Sequence, residues 1–151
     1  LGGATAWSRE IIQSHPHPID FPTHWAVCED LIYSYPIGKR YRLFVASDVK
    51  CFHNETYDHI GLKAGAYYGK ASVVMRYFFV SQNRDLNFFA FLWMTLGIIL
   101  SNFFKALTFR PRNVGLFLGG VLGLSHVIYD FFVSRNAKML AKSLFQNHQR
   151  Q

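Results

Sequence analysis

The sequence predicts an all-α membrane protein, with two to three transmembrane helices that carry glycine stripes and an extended N-terminal arm. Three observations carry that expectation. Leu86–Phe104 is a 19-residue run without a charge, and Asn113–Tyr129 is a second charge-free run. Glycines recur at every fourth position in two places, Gly61/Gly65/Gly69 and Gly115/Gly119/Gly123. A helix rises about 1.5 Å per residue, so the first run is long enough to cross a hydrocarbon core of about 30 Å.

Composition agrees with that class. Of 151 residues half are hydrophobic and 15 are Phe, while 17% are charged against about 25% in soluble domains. A chain this apolar is not globally disordered. A formal charge of +7 would suit a nucleic-acid binder, but its distribution does not. Residues 1–59 hold five Lys/Arg and seven Asp/Glu, whereas 60–151 hold eleven and two. Cations at the ends of apolar runs are the pattern of membrane insertion. No aromatic platform accompanies the basic residues, so nucleic acid is not an expected partner.

The arm, 1–59, contains four of the five prolines (Pro16, Pro18, Pro22, Pro36), five of the seven His and both cysteines. Its composition buries too little surface to offset chain entropy alone, so it reads as an extended soluble segment bound to partners. Within it Trp25–Tyr35 reads as a short helix with Thr23 as a cap, and Tyr41–Ala46 as a short strand or extended segment. Leu1–Ala6 lacks the basic region and the length of a secretory signal; a removed mitochondrial presequence fits the start on Leu.

The membrane region, 60–133, divides into spans at about 60–80, 86–104 and 113–133. Over 60–80, Lys63 and Lys70 fall on the face opposite the glycines. A lysine at mid-bilayer costs about 2.5–3.5 kcal/mol, so this segment is either a third span inside a larger assembly, the favoured reading, or an interfacial helix on anionic headgroups. Arg84, Asp85 and Lys105 bracket the second span. Lys105, Arg110, Pro111 and Arg112 make a short cationic elbow that turns the chain into an antiparallel hairpin. The glycines Gly61, Gly65, Gly69, Gly115, Gly119 and Gly123 are candidate helix-packing residues, because close approach of backbones drives association in lipid. Intramolecular and intermolecular contacts fit them equally. The basic tail, 134–151, reads as a continuation of the last helix out of the bilayer. Lys63, Lys70, Lys105, Arg110, Arg112, Arg135 and Lys138 are the candidate lipid-headgroup contacts, with anionic phospholipid, cardiolipin included, as the partner.

Chemistry-bearing constellations are few. His15, His17 and His24 with Asp20 are the densest set of metal-ligand types, but alternating His and Pro enforces an extended path, and a surface loop is the better reading. Cys28 and Cys51 form no metal-binding or disulfide framework, and Cys51 with His53 lacks the geometry of a catalytic pair. The Asn54-Glu55-Thr56 sequon matters only in a secreted chain. His126 and Asp130 stand one helical turn apart, either a proton-transfer pair or, the favoured reading, an acid at headgroup level that pairs with Arg135 or a neighbouring subunit. No nucleotide-binding, hydrolase or protease motif is present, so enzymatic activity, a catalytic centre, a bound metal and an organic cofactor are not expected.

Gly61/Gly65/Gly69 followed by Arg76, the span Leu86–Phe104, a short basic linker and the run Phe117–Gly123 together resemble the family of mitochondrial inner-membrane translocase channel subunits. They also resemble its relative among the accessory subunits of respiratory complex I. The likeness covers about 60–132, and no fourth apolar run follows Phe132, where that family has four spans. Arg110-Pro111 is similar to the elbow of a second, two-helix accessory subunit, with different spacing. These resemblances imply a non-catalytic, multi-pass inner-membrane subunit whose helices pack on other subunits. A translocase or small transporter component, with Lys63, Lys70, His126 and Asp130 along a polar path, and an ATP synthase accessory subunit are the alternatives.

Overall fold

The structure, a computed structural model, describes residues 6–16, 28–44, 61–137 and 139–140. Among these the regular structure is helical throughout, and contacts divide them into two compact units.

The first unit holds α1 (Arg9–Ser14) and α2 (Glu29–Gly38). Ser8 starts α1 by accepting the Ile11 N–H, which satisfies one of the unpaired donors of the first turn. Trp7 meets Tyr33 of α2 edge-on at 5.1 Å, and the Tyr33 hydroxyl donates to the His15 carbonyl at 2.9 Å. Ile37 is fully buried. The expected extended arm is thus corrected: it contains two helices tied by an aromatic contact. Six residues are too few to show a helical period, so α1 was illegible to pattern reading. The helix expected at Trp25–Tyr35 begins at Glu29 and runs past Pro36 to Gly38; Thr23 and Trp25 lie outside the described residues. Tyr41–Phe44 has no regular structure.

The second unit is built on α3 (Leu62–Gln82), α4 (Phe88–Ala106) and α5 (Pro111–Tyr129), with a π-helical turn at Asp130–Ser134. The helices run up, down and up, so α3 and α5 are parallel and α5 lies between α3 and α4. Asn87 caps α4 by accepting the Phe89 N–H at 2.8 Å. The elbow is a tight stop and restart. Phe109 takes a left-handed conformation (φ 55°) after the end of α4, and Pro111 opens α5 at the position where a missing N–H costs nothing. Asn113 then donates its side-chain amide to the Lys105 carbonyl at 3.2 Å and the Thr108 hydroxyl at 3.1 Å, fixing the turn.

Burial separates the three helices. Ala71, Val74 and Met75 of α3 are fully buried, whereas α4 buries only Phe91 and Thr95. Helix α4 and the segment Pro111–Ser134 are long and apolar enough to cross a membrane, yet only 11% and 28% of their apolar windows are buried in the chain. A core helix of a soluble protein would be mostly covered. Helix α3, with Lys63, Lys70 and Arg76, does not reach that apolarity, so two helices rather than three qualify.

The tail does not continue α5. After the π turn Arg135 adopts a left-handed conformation (φ 50°), and Asn136 starts a new helical segment by accepting the Met139 N–H at 3.1 Å. Left-handed geometry cannot propagate a right-handed helix, so the chain changes direction there.

Glycine position makes a sharp test of this fold. A Cβ on Gly119 would overlap the Ala66 backbone, whereas one on Gly97 meets nothing within 4 Å. Helix propensity alone favours alanine by about 1 kcal/mol at either site. We expect Gly97→Ala to leave unchanged or raise the unfolding temperature in detergent, and Gly119→Ala to lower stability by about 1–3 kcal/mol because the helices must separate. Equal effects of the two substitutions would contradict the packing.

Candidate functional site

The closest approach in the second unit lies between α3 and α5. Residues 65, 69, 73 and 77 of α3 follow one another at a spacing of four, as do 115, 119, 123 and 127 of α5, and all eight are buried. A spacing of four keeps side chains on one slowly drifting stripe of a helix. At the start of the pair the stripes meet backbone to backbone. A Cβ on Gly65 would stand 2.5 Å from the Arg112 carbonyl oxygen, and one on Gly69 2.8 Å from the Gly120 nitrogen. A Cβ on Gly115 would stand 2.8 Å from the Ala66 nitrogen and would overlap the Leu62 carbonyl oxygen. Further along, Gly123 faces Lys70 and the Val73 Cβ, both 3.0 Å from an added methyl. Then side chains replace backbone, and the Tyr77 hydroxyl donates to Asp130 Oδ2 at 3.0 Å.

The glycines of each helix thus pack on the backbone of the other within one chain. Gly61 is the exception and is corrected: it precedes the first turn of α3, is exposed, and an added Cβ there meets nothing within 4 Å. Gly120, which sequence reasoning passed over, faces the other neighbour: its added Cβ would sit 3.2 Å from Ile99 of α4. The adjacent pair Gly119-Gly120 was the signal, since neighbouring residues of a helix point about 100° apart and so serve two partners.

The far end of the pair is held by side chains. Asp130 is 4% exposed, and its carboxylate accepts from the Tyr77 hydroxyl and, at 3.3 Å, from the Asn136 N–H. Arg135 offers its backbone N–H to the Asp130 carbonyl at 2.6 Å, the five-residue step that defines the π turn. The expected side-chain pairing of Asp130 with Arg135 is therefore replaced by Tyr77 and a backbone amide. His126, one turn back, is exposed where Asp130 is buried. Around this junction Phe88 of α4 stacks on Phe131 at 4.0 Å and Tyr77 meets Phe91 at 6.0 Å, which ties all three helices at one end.

Cations sort to the ends. Lys63, Lys105 and Arg110 are exposed and Arg112 half-buried, all at the elbow end where Gly65 meets the Arg112 backbone; Arg135 is exposed at the opposite end. Lys70 is half-buried beside Gly123, and Arg76 folds back on its own helix to donate to the Ser72 carbonyl and hydroxyl. The Lys138 side chain lies outside the described residues. Of the His, Asp and Cys residues singled out in the arm, His15 and Cys28 are described and His17, His24, Asp20, Cys51 and His53 lie outside; among the described residues no three His, Cys, Asp or Glu come together. His15 packs edge-on to Tyr41 at 6.1 Å and lies 3.4 Å from the Arg40 guanidinium.

Comparison with protein families, curated proteins and solved structures finds no match. What the site can do follows from its chemistry. A backbone-to-backbone seam and a buried, fully bonded carboxylate hold helices together, while the outer faces of α4 and α5 present apolar side chains: Trp93 is 79% exposed and Phe89 75%. Surface of that kind is covered by lipid or by protein.

Removing the Tyr77 hydroxyl isolates a buried carboxylate oxygen. Tyr77→Phe should destabilise the unit by about 1–3 kcal/mol. Tyr77→Phe combined with Asp130→Asn should cost less than the sum of the two single changes, as read by detergent unfolding of the four proteins; strict additivity would show that the bond contributes nothing.

Proposed function

We propose that this chain is a non-catalytic accessory subunit of a mitochondrial inner-membrane respiratory complex, complex I in particular, inserted through α4 and α5 with α3 packed beside them. The observation that carries the reading is the exposure of apolar helices: an uncovered 19-residue apolar helix needs lipid or neighbouring subunits around it. The choice of complex rests on the resemblance of the glycine pattern, the basic elbow and the Phe117–Gly123 run.

The division of labour differs from one in which the glycine stripes dock on other subunits. Here they are used inside the chain, so partner subunits and acyl chains meet the side-chain-covered faces of α4 and α5, and the cations at both ends meet anionic headgroups. A subunit of this kind stabilises assembly and has no turnover of its own. For a transporter component, Lys63, Lys70, His126 and Asp130 would have to line one path. The burial of Asp130 against Tyr77 and the exposure of Lys63 and His126 favour the structural role instead.

Two measurements test the reading. In vesicles containing brominated phospholipid, Trp93 fluorescence should be quenched, and Trp93→Phe should remove most of the quenching; no quenching at Trp93 would overturn insertion of α4. Mitochondrial complexes separated in mild detergent should carry the chain in the complex I fraction, and its absence from every respiratory complex would overturn the assignment.

A further inference from the structure

Glycine packs α3 against α5 at one end, and bulk holds them at the other. The sequence of contacts along the pair, from backbone on backbone at Gly65 and Gly119 to Tyr77 on Asp130, means that the two backbones separate toward the C-terminal end of both helices. Just beyond Tyr77 the wedge is open among the described residues. A cavity of about 620 Å³ opens there. One side is the C-terminal end of α3, with Tyr77, Ser81 and Gln82; the other is the π turn and the kink after it, with Phe131, Phe132, Arg135 and Asn136.

The chemistry of the two levels of this cavity differs. Phe131 and Phe132 belong to the apolar segment that ends at Ser134, whereas Arg135 is the first cation after it, held in a left-handed conformation at the cavity rim. The Asp130 carboxylate is engaged elsewhere, its two oxygens accepting from the Tyr77 hydroxyl and the Asn136 N–H. Gln82, Arg135 and Asn136 are polar residues of the lining, while Ser81 spends its hydroxyl proton on the Phe78 carbonyl at 2.7 Å. An aromatic wall inside the apolar zone, topped by a guanidinium and an amide at its boundary, complements a molecule with an acyl chain below a phosphate.

We propose that this wedge is a specific binding site for a glycerophospholipid, whose phosphate is held by Arg135 and Gln82 and whose acyl chain lies along Phe131 and Phe132. The site rests on the membrane-inserted reading above and adds to it a defined lipid, distinct from the general film around α4. Its structural role is that of a removable core: the lipid supplies the apolar contacts that α3 and α5 cannot make with one another once they diverge.

The test uses the full chain in phosphatidylcholine vesicles doped with a phosphatidylglycerol whose acyl chain carries a diazirine; after illumination the labelled peptides are mapped. Label is expected to be enriched at 77–82 and 131–137 over the outer face of α4. Arg135→Gln should reduce that enrichment by about tenfold, the loss of a charged hydrogen bond, with labelling of α4 unchanged. Gln82→Leu should reduce it less, and Arg135→Lys should retain part of it, so that a folding defect in one variant does not decide the result. Even labelling of all apolar faces, or enrichment indifferent to both Arg135→Gln and Gln82→Leu, overturns the site while leaving insertion standing. Absence of label from α4 as well overturns the membrane reading itself. Loss of the enrichment on adding inorganic phosphate would assign the rim to a free phosphate and overturn the lipid.

Discussion

The second unit depends on one contact, the approach of the α3 and α5 backbones through opposed glycines. Gly65, Gly69, Gly115 and Gly119 have no room for a methyl group, because the atoms that a Cβ would meet belong to the other helix's backbone and cannot rotate away. In water such a seam would be a poor use of surface, since it buries little apolar side chain. In lipid the hydrophobic term between helices vanishes and the many weak dispersion contacts of close backbones become the main source of adhesion.

That seam dictates what the rest of the unit has to do. Parallel helices held tightly at one end and spaced by side chains at the other form a wedge, and the wide end needs its own fastening. Tyr77, Asp130 and Asn136 provide it with a small hydrogen-bonded group, and Phe88, Phe91 and Phe131 surround that group with rings drawn from α4 and the π turn. The π turn is the local adjustment that reconciles the two ends. It inserts an extra residue after α5, so that Asp130 stays on the α3 side while Arg135 leaves the helix altogether. An elongated helix without that turn would carry Arg135 further along the α5 axis rather than to the rim of the cavity.

Helix α4 stands apart from this arrangement. It joins α5 through Gly120 and Ile99 and reaches the aromatic group with Phe88 and Phe91, but most of its circumference is turned outward. The pairing of a tightly seamed α3–α5 with an exposed apolar α4 gives the unit an inside that it supplies itself and an outside that its surroundings must supply. Arg76 of α3 folds back along its own helix and donates to the Ser72 carbonyl and hydroxyl.

The sequence by itself determined the three helices of the second unit to within about two residues at most ends, because uninterrupted apolar runs, a Pro at the elbow and terminal charges are local signals. It also marked the glycine spacing, since a repeat of four is visible without knowing what lies opposite. It could not say what those glycines face, why Gly61 drops out of its own repeat, or that Gly120 serves α4, because each depends on which backbone approaches from another part of the chain. Tyr77 and Asp130 are separated by 53 positions, and nothing in their neighbourhoods announces that a hydroxyl will satisfy a carboxylate. Nor does a helical period foretell the π turn, which follows from fitting a buried acid against α3. In the arm, α1 is too short to be periodic and exists through a Ser8 cap and the Tyr33 bond to His15. Local signals therefore fixed where helices form, while tertiary structure alone decided which faces meet, because only the meeting of two backbones distinguishes a glycine that must be glycine from one that merely is.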